Sequence, residues 1–145
     1  MLHTHSKIWI HLIWSTKNRQ RCLFKDSGVL LYNHLIDYAR EEIKVPFERL
    51  NIQPEHVHGL IDLPTNMMLS EIVQKLKGES SYWMNQCKIL NDHFGWQRGF
   101  GAYSVSVSQI NIIKKYIENQ HIHHAGKTFS DEYEEWKKEY GIFID

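Results

Sequence analysis

Phe47-Glu-Arg-Leu-Asn-Ile-Gln-Pro-Glu-His-Val-His-Gly-Leu-Ile-Asp-Leu-Pro64 reads as two strands and a turn. Phe47, Arg49 and Asn51 alternate with Glu48, Leu50 and Ile52 as far as Gln53, the period of a pleated strand. Pro54-Glu55 interrupts the run, His56 to Leu63 resumes it, and Pro64 ends it. A connection this short joins antiparallel neighbours. Side chains two apart on a strand share a face, so His56 and His58 stand side by side while Val57 and Gly59 point the other way. Two imidazoles so placed suit one metal ion, although in a chain with ten histidines such a pair also arises from packing alone.

Working outward, Lys7-Ile-Trp-Ile-His-Leu-Ile-Trp14 is β-branched and aromatic. Ile8, Ile10, Leu12 and Trp14 fall on one face and Lys7, Trp9, His11 and Ile13 on the other, so a central strand is expected, with His11 read as a packed histidine. Asp26, as N-cap, opens an amphipathic helix to about Lys44 with Leu31, Leu35, Tyr38 and Ile43 at helical spacing, stopped by Pro46. Met68 to about Gln86 is a second helix, through Leu69, Ile72, Val73 and Leu76, with Gly78 inside it as a kink or a close approach. Trp96 to Ser106 is read as a fourth strand, where Gly99 and Gly101 mark a bulge or a close approach. Ser108 caps a third helix, Gln109 to about His124, and Thr128 to Glu139 is a last short helix. The order β-α-β-β-α-β-α predicts an α+β, ferredoxin-like βαββαβ antiparallel sheet with an additional C-terminal helix.

The 145 residues are expected to form a single domain, 1–145, ending in an acidic helix or tail at 128–145. No run of about 18 apolar residues spans a membrane, no signal-peptide core is present, and a cytoplasmic location is the default. Cys22 and Cys87 read as free thiols. The net charge of zero argues weakly against nucleic acid, but its distribution softens that. Residues 1–127 carry 15 Lys and Arg against 11 Asp and Glu, or +4, and residues 128–145 carry 2 against 6, or −4. Lys17, Arg19, Arg21 and Lys25 precede the first acid, Asp26, and suit either backbone phosphates or a solvated loop. Lys77-Gly78-Glu79-Ser80-Ser81 suits either a phosphate contact or a helix-packing glycine. Trp96 and Phe100, beside Arg98, are the aromatics placed to stack on bases.

On the third helix Ile110, Ile113 and Ile117 make the inward stripe, and Tyr116 and Gln120, four apart, are neighbours elsewhere on its surface. Taken alone, Tyr116 reads equally as a packing residue and Gln120 as a solvated one. Five pieces in order carry more: His11-Leu-Ile-Trp-Ser-Thr-Lys-Asn-Arg19, Glu55-His-Val-His-Gly59, Leu76-Lys-Gly-Glu-Ser-Ser81, Trp96-Gln-Arg-Gly-Phe-Gly-Ala-Tyr-Ser-Val-Ser106 and Tyr116-Ile-Glu-Asn-Gln120. Along nearly its whole length the chain resembles the single-tyrosine insertion-sequence transposases of the histidine-hydrophobic-histidine (HUH) endonuclease superfamily, including relatives associated with repeated extragenic palindromes.

That resemblance implies His56, His58 and Gln120 as ligands of Mg²⁺ or Mn²⁺ and Tyr116 as the nucleophile. It implies single-stranded DNA, often with hairpin ends, as substrate, and a homodimer whose active sites are shared between chains or kept within each. Lys17, Arg19, Arg21, Lys77 and Arg98 are the candidate DNA contacts. His121, His123 and His124 either reach the same site or form a polar helix end. Other readings are a domesticated nickase and strand transferase acting on repeated palindromes, a non-catalytic nucleic-acid-binding module of the same fold, and a zinc-binding regulator.

Overall fold

The computed structural model describes residues 4–119. Four strands and three helices alternate as expected: β1 (Trp9–Ser15), α1 (Asp26–Tyr38), β2 (Phe47–Ile52), β3 (His56–Asp62), α2 (Leu69–Gln86), β4 (Gly101–Val105) and α3 (Ile110–Glu118). The sheet order is β2-β3-β1-β4 and every neighbouring pair is antiparallel, so the chain has the ferredoxin-like α+β fold. The strand β1 is central, as its two apolar faces require.

Alternation along the central strands sorts their side chains between two cores. Leu12 and Trp14 of β1 and Val57 and Ile61 of β3 pack against Leu31 and Leu35 of α1 and Ile72, Val73 and Leu76 of α2. Each such side chain fully buried stabilises the fold by about 1.5–3 kcal/mol. On the opposite face Leu60 and Val105 meet Ile113 and Ile117 of α3, with Trp9 and Tyr116 partly buried beside them. The sheet therefore lies between α1 and α2 on one side and α3 on the other. The register sets Ile13 opposite His58, Leu12 opposite Gly59 and His11 opposite Leu60, so His11, Ile13, His56 and His58 all face α3.

Several local expectations are corrected. Asp26 is the first helical residue of α1 and Lys25, at φ 46°, is its N-cap. Ser27 instead ties the start, its hydroxyl donating to the Phe24 carbonyl and accepting from the Phe24 N–H. The helical segment does end at Lys44, as expected, left-handed at φ 67°, after widening into a π-helical turn at Ala39–Ile43. The fourth strand is shorter than its composition suggested: Trp96 makes only an isolated bridge to Thr16, and regular pairing begins at Gly101. Ser108 is not a cap, because a 3-10 turn at Val107–Gln109 leads into α3. A Cβ on Gly78 would meet nothing within 4 Å, so that glycine is neither a close approach nor a kink in the unbroken α2. The expected helix beyond Asn119 and the acidic segment 128–145 lie outside the described residues.

Gly59 and Gly101 are close-approach glycines. A Cβ on Gly59 would stand 2.6 Å from the Phe47 ring, and one on Gly101 would stand 2.6 Å from Cγ2 of Ile13 and 2.9 Å from the Tyr103 ring. Ile13 is buried in a central strand and cannot swing away. Gly101→Ala is therefore expected to destabilise the fold by about 1–3 kcal/mol, as overpacking does, read as a lower urea midpoint with an unchanged m-value.

Candidate active site

Four buried polar side chains meet on the α3 face of the sheet: His11 from β1, His56 and His58 from β3, and Glu55 from the turn before β3. Each is 3% exposed or less. Nε2 of His56 lies 3.0 Å from Nε2 of His58, and Nδ1 of His58 lies 3.0 Å from Nε2 of His11. His56 Nδ1 is 2.9 Å from Oε1 of Glu55, whose Oε2 accepts from Arg21 at 2.6 Å. Burial pushes the His11 imidazole well below its ordinary pKa, leaving that ring neutral at physiological pH. Tyr116 is brought in by α3, its ring centroid 5.9 Å from that of His58 and 6.2 Å from that of His11, both edge-on. The sequence-expected pair His56 and His58 and the expected Tyr116 are thus assembled within one chain, while Gln120 lies outside the described residues.

The histidine pair fits a divalent ion. Metal–nitrogen bonds of about 2.1 Å at a right angle place two ligand atoms ~3.0 Å apart, and the two Nε2 atoms have that separation. Among the described residues no group of three His, Cys, Asp or Glu could hold an ion, so His11 extends a chain of rings and does not complete a ligand triangle.

A model of the family described as "Transposase IS200 like" matches residues 4–120. The chain belongs to that family. This IS200-like transposase is 28% identical over 117 residues to the ISDra2 transposase TnpA of Deinococcus radiodurans, covering 77% of this chain and 82% of the relative. It is similar to the crystal structure of a transposase candidate from Deinococcus radiodurans R1, with a TM-score of 0.67 and 26% identity over 83% of this chain and 95% of that one. A REP-associated tyrosine transposase bound to a REP hairpin shares the fold at a TM-score of 0.62 and 17% identity, over 86% of this chain and 75% of that one. Among the described residues no helix is long and apolar enough to cross a membrane.

The basic residues divide by environment. Arg21 is engaged by the buried Glu55, and it also lies over the Phe24 ring. Lys77 donates to the carbonyls of Gln97 at 2.8 Å and Gly99 at 2.6 Å, and burial lowers its pKa. It therefore staples the loop before β4. Lys17 and Arg98 line a groove of ≈ 700 Å³ with Tyr82, His93 and Trp96. Arg19 and Arg98 line an adjoining cleft with Phe100, 41% exposed. The sequence reading takes His11 as a packed histidine, without its bond to His58, and places Glu55 in the turn and at the head of the Glu55-His-Val-His-Gly59 piece without a role of its own. The signal for His11 was present in its strand phase, but it needed the β1–β3 register to become a contact.

At the rim α3 is clamped to β2. Lys114 donates to Glu48 at 2.9 Å, and Arg49 pairs with Glu118. The Lys114 hydrogen bond, opposed in part by desolvation, holds the Glu48 carboxyl below its ordinary pKa. A depressed carboxylate adds stability that is present above its unfolded pKa, about 4.3, and lost as pH falls through the folded value. The stability difference between wild type and Glu48→Gln should accordingly be full at neutral pH and vanish in acid, as read from urea midpoints across that range. For the loop staple, Lys77→Met should cost about 1.5–3 kcal/mol, the worth of hydrogen bonds from a charged donor, with faster amide exchange concentrated in residues 96–100.

Proposed function

We propose that this transposase cleaves and rejoins single-stranded DNA through a 5′-phosphotyrosine at Tyr116, with Mg²⁺ or Mn²⁺ held by His56, His58 and Gln120. The observation that carries the reading is the placing of the Tyr116 ring beside His58, whose Nε2 lies 3.0 Å from Nε2 of His56, the spacing of adjacent ligands of one ion. Gln120, four residues past Tyr116, is the proposed oxygen donor. Bound at this position, the cation polarises the scissile phosphate and stabilises its developing negative charge.

The chain's own residues do the rest. A phenol with a reference pKa of about 10 is a weak nucleophile at neutral pH, so Tyr116 must be positioned as well as activated. Its oxygen attacks phosphorus, the bond to the 3′-oxygen breaks, the phenolic proton is lost, and the leaving 3′-oxygen takes one up. The resulting 5′-phosphotyrosine conserves the energy of the broken phosphodiester. A second 3′-OH then attacks the same phosphorus and restores the Tyr116 phenol, so strands are exchanged without ATP.

The groove lined by Lys17, Arg98, Tyr82 and Trp96, with Arg19 and Phe100 next to it, offers cations for backbone phosphates and rings for unpaired bases. Hairpin-ended DNA is the proposed substrate, in keeping with the REP hairpin held by the structural neighbour. A homodimer acting in the cytoplasm completes the proposal, with the tyrosine working in its own chain's site or in its partner's. A domesticated enzyme that nicks and joins repeated palindromes would use the same chemistry.

Labelled hairpin DNA incubated with Mn²⁺ and resolved on a denaturing gel tests the chemistry. Wild type should give a protein-linked DNA band, Tyr116→Phe should give none, and His56→Ala should lose the dependence on Mn²⁺ along with the activity. A covalent band that persists in Tyr116→Phe would show that another residue is the nucleophile.

A further inference from the structure

Two consecutive residues after β1, Asn18 at φ 58° and Arg19 at φ 52°, are left-handed. Neither is glycine, and in that conformation a Cβ crowds the following carbonyl oxygen, so the turn needs support from its surroundings. Thr16, buried at its base, closes it from within. The Arg19 N–H donates to the Thr16 carbonyl at 2.9 Å, and the Thr16 hydroxyl donates to the Gln20 carbonyl at 2.7 Å. Support at the tip comes from Gln97, 79 residues away, whose Oε1 accepts from the Asn18 N–H at 3.0 Å. Gln97 is itself fixed at both main-chain polar atoms. Its N–H donates to the Ser15 carbonyl at 2.9 Å, and its carbonyl accepts from Lys77 at 2.8 Å. The side chain thus grips the turn from an anchored base.

The turn separates two cations. Lys17 lines the groove with Arg98, while Arg19 lines the adjoining cleft with Arg98 and Phe100. That cleft also takes in Ile13, which the β1–β3 register sets opposite His58. We infer that Gln97 is a positioning residue for the single strand. By holding Asn18 and Arg19 left-handed, it places Lys17 and Arg19 in separate clefts with Arg98 between them, a line of three cations that leads towards the histidine pair. The inference rests on the proposed DNA groove. Gln97 acts through the turn and not by touching DNA. Released from Gln97, the turn relaxes towards right-handed φ, the cations leave their clefts, and phosphate contacts are lost together.

A labelled oligothymidylate, titrated with the full chain in a chelating buffer over a series of salt concentrations, reads affinity and the number of phosphates neutralised together. Each phosphate contact to a single strand contributes about 0.7 to the slope of log affinity against log salt. Lys17→Ala should flatten that slope by about 0.7. Gln97→Met keeps the side-chain length and removes the acceptor, and should flatten it by about 0.7–1.4 with the urea midpoint little changed. In the Gln97→Met background, Lys17→Ala should cost less than it does alone, because the two changes remove the same contact. If Lys17→Ala weakens binding and Gln97→Met does not, the positioning role is wrong while the groove stands. A Gln97→Met loss that adds in full to that of Lys17→Ala, at unchanged slope, makes Gln97 a direct contact and overturns the inference too. If Lys17→Ala, Arg19→Ala and Arg98→Ala all bind like wild type, the groove and this inference fall together. Amide hydrogen exchange decides without DNA: the Asn18 N–H should be protected in wild type and exchange faster in Gln97→Met, and equal rates would overturn the role given to Gln97.

Discussion

Strand β3 is buried from His56 through Ile61, and its two faces have incompatible chemistry. Val57 and Ile61 belong to the apolar core under α1 and α2, while His56 and His58 stand on the face covered by α3. A slip of one residue against β1 would send both imidazoles into the apolar core and Val57 into the polar cluster. Burying uncompensated polar rings is costly, so the register that packs the core is also the register that builds the site. Gly59 sharpens this constraint, because a side chain there would collide with Phe47 on the neighbouring strand.

The polar cluster is buried because it is internally satisfied. Glu55 has lost nearly all contact with water, and its carboxylate is compensated by Arg21 and by the ring of His56. The three histidines pass hydrogen bonds from one to the next. Above them α3 is held by Ile113 and Ile117 at its centre and by ion pairs to Glu48 and Arg49 at its rim. The helix that carries Tyr116 therefore has an apolar attachment over the sheet and a charged one at its edge. Exposed pairs of the second kind contribute about 1 kcal/mol or less each, so the isoleucines account for most of the docking.

Much of this was legible in the amino-acid sequence. The two faces of β1, the hairpin from Phe47 to Leu63 and the shared face of His56 and His58 all follow from period-two alternation. The isoleucine stripe of α3 follows from helical spacing. Boundaries were less legible where competing local interactions decide them. Trp96 to Phe100 has strand-like composition, yet Lys77 captures the carbonyls of Gln97 and Gly99 and Trp96 donates to the Ser80 hydroxyl, so side chains of α2 hold the segment and only an isolated bridge to Thr16 stands in place of a ladder. Lys25 and Lys44 adopt left-handed φ values that no propensity assigns to lysine, and they set the two ends of the first helical segment.

Sequence alone determined which residues share a face, because side-chain direction on a strand or helix depends only on the period of that element. It thereby determined the βαββαβ order and the paired histidines, while the motifs that run along the chain carried its resemblance to a transposase family. Tertiary structure decided which faces meet. His11 and His58 are 47 residues apart and became partners only through the β1–β3 register. Arg21 and Glu55 are 34 apart, and charge pattern left Arg21 to either backbone phosphate or a solvated loop. A buried carboxylate and a nearby guanidinium find each other by desolvation and Coulomb attraction, forces that act through space and leave no period in the sequence.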